Sequence, residues 1–164
     1  MFPCAVMRAR SLIGCWLPVL AWMGLIFSAS GDGASFSHSS RIIGPIVRWF
    51  FPHVSDEAIH ATVVVIRKCA HLTEYAVLAL LLWRALRRPG KGDACPWEWP
   101  VARLALTLTA LYAATDEFHQ LFVPTREGSV WDVAIDTVGG ALGLLGLWAV
   151  VCWRRRRGRG LGEL

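Results

Sequence analysis

Four apolar runs along the chain are long enough to be membrane-spanning helices. They cover residues 12–29, 61–84, 103–122 and 132–153, and about 20 residues are enough to cross the hydrocarbon core of a bilayer. The first and fourth runs are the clearest, because the second and third contain charged side chains. The pattern predicts an all-α polytopic membrane protein, a bundle of four transmembrane helices.

A further short helix is expected between the first and second spans. Residues 40–60 combine apolar positions with Arg41 and Arg48 on the opposite side, a pattern typical of an amphipathic helix that lies at the membrane interface. The two arginines before the first run would also suit a signal peptide. No convincing small-residue cleavage site follows that run, so we expect residues 12–29 to remain as the first helix.

The distribution of basic residues predicts the orientation. Twelve of the 17 lysines and arginines fall in the amino-terminal tail, in the link 84–103 and in the tail 154–164, whereas three fall in the segments 30–60 and 123–131. Cytoplasmic loops of membrane proteins are enriched in Lys and Arg. The prediction is a multi-pass protein of the plasma membrane with both termini cytoplasmic: a single transmembrane domain, residues 1–153, and a basic cytoplasmic tail after it.

Composition supports the membrane assignment and argues against other classes. Hydrophobic residues make up 55% of the chain, with nine Trp, and the mean hydropathy of +0.45 exceeds that expected of a soluble domain. The five cysteines are odd in number and irregularly spaced, so we expect buried thiols rather than a disulfide or zinc framework. A cytoplasmic flank near anionic lipid explains the RRRR run at 154–157, and no nucleic-acid partner is predicted.

Polar side chains within the second run form a stripe along one helix face. Since an α-helix turns about 100° per residue, Arg67, His71 and Glu74 share that face, flanked by Lys68 and Tyr75. At about 1.5 Å per residue, Glu74 lies roughly 15 Å from the cytoplasmic end of the run, near the midplane, and Arg67 lies near the outer surface. Ionisable side chains at such depths face the bundle interior or a wet cavity and mark functional sites.

The third and fourth runs carry similar stripes at their outer ends. One face of the third run consists of Thr109, Tyr112, Asp116 and Gln120, with Glu117 and His119 to either side. The fourth run begins with Asp132 and Asp136 and continues on the same face with Gly139, Gly143 and Gly146. Small residues four positions apart allow close helix contact in lipid. Because the three stripes point to one leaflet, we expect Glu74 to lie close to the acids of the other two runs.

Two segments resemble the signature regions of the VanZ-like family: IRKCAHLTEYAVLALLLWRAL and TDEFHQLFVPTREGSVWDVAIDTVGGALG. The similarity covers residues 12–150 and rests on the patterns K-x-x-H-x-x-E-Y, D-E-x-x-Q, a loop arginine and D-x-x-x-[DN]-x-x-G. The matching positions are Lys68, His71, Glu74, Tyr75, Asp116, Glu117, Gln120, Arg126, Asp132, Asp136 and Gly139. Asp136 stands where many relatives carry Asn. The resemblance implies the topology and this residue set, and the family's namesake is associated with low-level teicoplanin resistance, but the resemblance implies no particular reaction.

The favoured functional hypothesis is an outward-facing polar pocket that binds an anionic cell-envelope or lipid-linked ligand, or a glycopeptide, without chemistry. Guanidinium and ammonium groups hold phosphates and carboxylates, a role open to Arg67, Lys68 and Arg126. The expected ligand-binding residues are Arg67, Lys68, His71, Glu74, Tyr75, Asp116, Glu117, Gln120, Arg126, Asp132 and Asp136.

Two alternatives stay open. In the first, the protein is a membrane-embedded enzyme acting on a lipid-linked or envelope substrate, with His71, Glu74, Asp116 and Asp132 as catalytic candidates. His71 and Glu74 would act as general base and acid, or bind a divalent metal together with Asp116, Asp132 or Asp136. The chain contains no HExxH, GxSxG or phosphate-loop pattern, and the residues specify no cofactor. In the second alternative, the cluster is a structural network whose interhelical hydrogen bonds contribute about 0.6 kcal/mol each.

Overall fold

The computed structural model describes residues 12–31, 36–88, 97–124 and 128–160. These residues contain five α-helices and no strand, which confirms the all-α prediction. The helices are α1 (Leu12–Ala29), α2 (Phe36–Phe50), α3 (Asp56–Arg87), α4 (Trp99–Gln120) and α5 (Val130–Gly160). Helix α5 thus continues into the basic segment that follows the fourth apolar run.

Two of the described helices are long and apolar enough to cross a membrane: α1 and the part of α5 from Val130 to Arg157. They correspond to the two runs that are clearest in the sequence. Ionisable side chains interrupt the apolar surface of α3 and α4, so the count of four spans stays a prediction.

The apolar side chains of α1 and α5 face outward to a large extent. Leu17, Leu20, Val138 and Leu142 are each more than half exposed, with exposed fractions from 53% to 61%. A soluble monomer rarely leaves such a continuous apolar surface in water. Lipid is a solvent in which this surface is stable.

The break between α2 and α3 corrects the helix predicted over residues 40–60. Helix α2 ends at Phe50, and Ser55 caps α3 by accepting a backbone N–H hydrogen bond at 3.2 Å. Pro52 explains the end of α2, because proline has no N–H group and disfavours the helical conformation in the residue before it. Residues 56–60 therefore belong to α3, which begins five residues before the predicted span.

Helices α3 and α5 approach each other at backbone distance. A Cβ added to Gly139 would lie 2.5 Å from the carbonyl oxygen of Leu72, and one added to Gly143 would lie 2.8 Å from that of Ala76. The predicted small-residue contact is confirmed at these two glycines, and it joins two helices of the same chain. Gly146 lies outside it, because an added Cβ there would meet no described atom beyond its own stretch of helix within 4 Å.

The described cysteines are free thiols that differ in burial. Cys15 is buried, Cys152 is half-buried and Cys69 is exposed. The expectation of buried thiols is wrong for Cys69, which lies on the exposed face of α3 together with Ile66 and Thr73. Cys4 and Cys95 lie outside the described residues.

Candidate functional site

The buried part of the polar cluster centres on Asp116 of α4. Its Oδ2 atom accepts hydrogen bonds from Ser30 Oγ at 2.7 Å, from the Tyr75 hydroxyl at 3.2 Å and from Gln120 Nε2 at 3.2 Å. All four side chains are buried. We call these residues the Asp116 cluster. A carboxylate removed from water must be compensated by hydrogen bonds, and the donors here come from the end of α1, from α3 and from α4 itself.

Helix α1 is joined to the bundle by polar contacts that sequence reasoning missed. Besides the Ser30 hydrogen bond, the Trp22 indole donates to the Glu74 carbonyl oxygen at 2.9 Å. The Tyr112 hydroxyl donates to the Met23 carbonyl oxygen at 2.6 Å. The one sequence feature that pointed to such contacts is Ser30, a small polar residue directly after the first apolar run.

Glu117 connects the end of α4 to the start of α5. Its Oε2 atom accepts a hydrogen bond of 2.9 Å from the backbone N–H of Ser129, immediately before α5. The first N–H groups of a helix have no partner within the helix, and the helix dipole favours negative charge at that end. The buried carboxylate of Glu117 therefore stabilises the α4–α5 connection.

Lys68 of α3 and Asp132, in the first turn of α5, form an ion pair between these helices. Both side chains are part-exposed, Lys68 by 40% and Asp132 by 29%. Water therefore screens the pair, and its net contribution to stability is small. Its geometric effect is to hold α3 at Lys68 against the first turn of α5.

His71 lies between two carboxylates from different helices. Its Nδ1 atom is 3.9 Å from Glu74 Oε2 on the next turn of α3 and 3.7 Å from Asp136 Oδ1 on α5. Both separations are longer than a direct hydrogen bond. Asp136 is completely buried, and neither of its carboxylate oxygens has a hydrogen-bond partner among the described residues. One imidazole nitrogen therefore lies within 4 Å of a carboxylate on each of two helices.

A cavity of about 110 Å³ opens beside His71, between α1, α2 and α3. Its polar lining consists of Ser30, Ser39, Arg67, His71 and Glu74. Arg67 Nη1 donates a hydrogen bond to Ser39 Oγ at 3.1 Å, which holds the guanidinium group at the cavity wall. The volume is sufficient for several water molecules, and its lining combines a cation, a carboxylate, an imidazole and two hydroxyls.

The predicted site residues separate into a cavity wall and a buried network. The cavity wall contains Arg67, His71 and Glu74. The buried network contains Tyr75, Asp116, Glu117, Gln120 and Asp136. Lys68 and Asp132 pair with each other, and Arg126 lies outside the described residues. His119, predicted to flank this face, packs instead against the ring of Phe27 on α1 at a centroid distance of 4.4 Å.

The side chains of the cavity wall are of types that can bind an anion and exchange a proton. Arg67 can hold a negatively charged oxygen, and the facing pair of His71 and Glu74 can accept or donate a proton. Within the described ranges, no group of three or more His, Cys, Asp or Glu side chains is arranged to hold a metal ion.

A protein-family model described as VanZ/LLP1 matches residues 15–152 of the chain. The match includes the cavity wall and the buried network, and it runs from the first turns of α1 to Cys152 of α5. No curated protein and no solved structure was found to match the chain.

Proposed function

The chain belongs to the VanZ/LLP1 family, and from this premise we propose that it is an integral membrane protein whose outward-facing pocket binds an anionic cell-envelope or lipid-linked ligand. Family membership and two long apolar helices indicate a membrane protein. The observation that carries the ligand proposal is the position of Arg67, whose side chain is held by Ser39 in the wall of the cavity.

The composition of the cavity wall favours a particular kind of anion. Arg67 provides a planar guanidinium group suited to phosphate or carboxylate oxygens, and Ser30 and Ser39 add hydroxyls. Glu74, on the same wall, would repel a ligand that carried negative charge alone. The group that suits the cavity is an anionic group next to hydrogen-bond donors, such as lipid-linked sugar phosphates and glycopeptides carry. The rest of such a ligand would lie outside the cavity, whose volume is about 110 Å³.

The proposed topology treats α1, α3, α4 and α5 as four spans with both termini in the cytoplasm. The excess of basic residues at one end of the bundle supports this orientation. Helix α2 then lies at the outer interface, in agreement with the exposure of Ile42, Ile46, Trp49 and Phe50. Apolar side chains that point away from the protein are what an interfacial helix inserts between lipids.

A contribution to resistance against teicoplanin-type glycopeptides is a further part of the proposal. It rests on the family resemblance of the motif residues, together with a cavity wall whose charges suit a glycopeptide. Binding at the outer face would place the protein where such antibiotics act.

The direct test is Arg67→Gln, compared with Arg41→Gln as a matched control on α2. Both changes remove one guanidinium group, but Arg41 is exposed and is not part of the cavity lining. Native mass spectrometry of the protein purified from membranes should detect an anionic or isoprenoid lipid with the wild type and with Arg41→Gln. Loss of a charge-assisted hydrogen bond should lower retention about ten-fold in Arg67→Gln.

Equal lipid retention by Arg67→Gln and Arg41→Gln would show that Arg67 is not part of the binding site. The resistance part is tested separately by the teicoplanin susceptibility of cells that express each variant. Protection by the wild type and by Arg41→Gln, but not by Arg67→Gln, is the expected result. If the wild type gives no protection, the proposed role in resistance is wrong. The lipid measurement then still tests the proposed ligand binding.

The position of His71 favours a second candidate, an enzyme acting on the same class of ligand. His71 lies next to two carboxylates: that of Glu74, which faces the cavity, and that of Asp136, which is fully buried. This resembles an active site in which one acidic group orients the histidine that acts as general base. In this version His71 takes a proton from the attacking group, and Asp136 orients the imidazole. Lipid extracts would then contain a chemically altered lipid with the wild type, and the unaltered lipid would accumulate with His71→Gln.

A further inference from the structure

A groove between α4 and α5 lies at the opposite end of the bundle from the polar cavity. It has a volume of about 170 Å³. Its walls are formed by apolar side chains of both helices: Ala102, Leu106, Ala141, Leu144 and Leu145. These side chains offer no hydrogen-bond partner, so a sugar, a nucleotide or a peptide backbone would lose its hydrogen bonds with water there without replacement.

Small side chains create the groove. Ala102 on α4 and Ala141 on α5 both end at Cβ, while Leu145 is about half exposed. The resulting gap between two helices suits an extended hydrocarbon chain, which requires only apolar contact and gains it along its whole length.

A row of tryptophans crosses three helices at this end of the bundle. Trp83 of α3 stacks on Trp97 with ring centroids 5.8 Å apart, Trp97 contacts Trp99 at 5.3 Å, and Trp99 contacts Trp148 of α5 at 5.8 Å. Tryptophan is enriched at the level of the lipid headgroups. The row therefore places the mouth of the groove, which Trp97 and Trp99 line, at the membrane–water interface.

Arg103 is the charged residue of the groove lining. It lies one helical turn after Trp99 and is exposed. Among the described residues, it has no acidic partner. The nearby acid, Glu98, pairs instead with Arg87 at 3.3 Å. A guanidinium group on a flexible stem can reach from this depth to the headgroup level.

The surface around the groove is positively charged, like Arg103. The described residues at this end carry a large excess of arginine over the one acid, Glu98. The arginines are Arg84, Arg87, Arg88, Arg103, Arg154, Arg155, Arg156 and Arg157. Basic surfaces beside membrane helices attract anionic lipid headgroups.

From these observations we infer that the groove between α4 and α5 binds an acyl chain of an anionic phospholipid, whose phosphate pairs with Arg103. The apolar walls hold the chain, the tryptophan row fixes the level of the headgroup, and Arg103 selects its charge. This site shares no residue with the cavity at Arg67, so the lipid proposal and the proposed function of that cavity can be tested independently.

The test measures lipid retention by the full chain in detergent. Dioleoyl phosphatidylglycerol or dioleoyl phosphatidylcholine is added at equal concentration, and the bound fraction is read by native mass spectrometry. The wild type should retain phosphatidylglycerol in preference to phosphatidylcholine. Arg103→Gln should lower phosphatidylglycerol retention about five-fold, the factor expected for one basic residue near an anionic lipid. It should lower phosphatidylcholine retention less, because the choline ammonium group of that lipid offsets the charge of its phosphate.

Two further variants separate the groove from general effects. Ala141→Phe fills the groove and should reduce the retention of both lipids, whereas Leu142→Phe, on the exposed face of the same helix, should not. Arg155→Gln removes a charge outside the groove and should behave as the wild type. The inference is overturned if both lipids are retained equally by the wild type, or if Arg155→Gln loses as much phosphatidylglycerol as Arg103→Gln.

Discussion

Tyr75 of α3 donates a hydrogen bond to Asp116 of α4 across 3.2 Å, and both side chains are buried. The same carboxylate oxygen accepts from Ser30, beyond the end of α1. One carboxyl oxygen of Asp116 thus joins α3, α4 and the residue that follows α1. The Asp116 cluster therefore adjoins the cavity wall of Arg67, His71 and Glu74, because Ser30 donates to Asp116 and also lines the cavity.

The first prediction concerns the stability of the Asp116 cluster. Tyr75→Phe removes one donor and should lower the free energy of unfolding by about 1 kcal/mol. Asp116→Ala leaves several buried donors without an acceptor and should lower it by about 2–4 kcal/mol. The measurement is unfolding in mixed detergent, with Ser28→Ala as the control, because the Ser28 hydroxyl is exposed and bonds only to its own helix at the Gly24 carbonyl. Equal effects of Asp116→Ala and Ser28→Ala would contradict the structural role.

The second prediction concerns the glycine contact between α3 and α5. Gly139→Ala places a methyl group 2.5 Å from a backbone oxygen of Leu72, where no flexible side chain can move aside. It should destabilise the fold by about 1–3 kcal/mol. Gly146→Ala meets no such contact and should be neutral or stabilising by up to about 1 kcal/mol, because alanine favours helix over glycine. Thermal melting in detergent distinguishes the two, and similar losses for both would indicate that helix packing differs from that described.

The third prediction concerns the ion pair between Lys68 and Asp132. Lys68→Asp should place like charges together and destabilise the contact between α3 and the first turn of α5, as should Asp132→Lys. The double exchange should recover stability, with a coupling energy of about 0.2–1 kcal/mol because the pair is part-exposed. A thermal double-mutant cycle at low and high salt gives this value. Additive losses at low salt would show that the two side chains do not interact.

The fourth prediction tests the number of spans. In a background without native cysteines, His53→Cys should react with a membrane-impermeant maleimide in intact cells, since residue 53 follows α2 on the proposed outer side. Arg88→Cys, after the end of α3, should react only after the membrane is permeabilised. Both residues are exposed. If only α1 and α5 crossed the membrane, positions 53 and 88 would lie on the same side and both would be labelled in intact cells.

The helices and the face of the polar stripe could be predicted from the sequence, because both depend on local periodicity. Arg67, His71 and Glu74 recur at helical spacing and do line one cavity. The partners supplied by α1 could not be predicted in the same way. Whether Ser30 reaches Asp116 depends on the relative placement of two helices that are far apart in the sequence, which no spacing within either helix encodes.

The boundary between α2 and α3 shows a different source of error. Apolar content alone extended the predicted helix through residue 60, although Pro52 and the capping residue Ser55 carry the information that ends one helix and begins the next. Both residues indicate a helix boundary in the sequence, but the prediction gave more weight to the apolar pattern.

The length of α3 has a consequence for the kind of membrane that suits this protein. Its 32 residues run without a break from the Ser55 cap to the left-handed Arg88, and at about 1.5 Å per residue they extend roughly 48 Å. The hydrocarbon core is about 30 Å thick. In the proposed four-span topology the ends of this helix therefore extend beyond the hydrocarbon core, and they carry charged groups there: Asp56 and Glu57 at one end, Arg84 and Arg87 at the other. Only the apolar part of α3 would be subject to hydrophobic mismatch. In that topology the acyl-chain length of the lipids would act on the tilt of α3, and through it on the wall of the cavity that this helix carries.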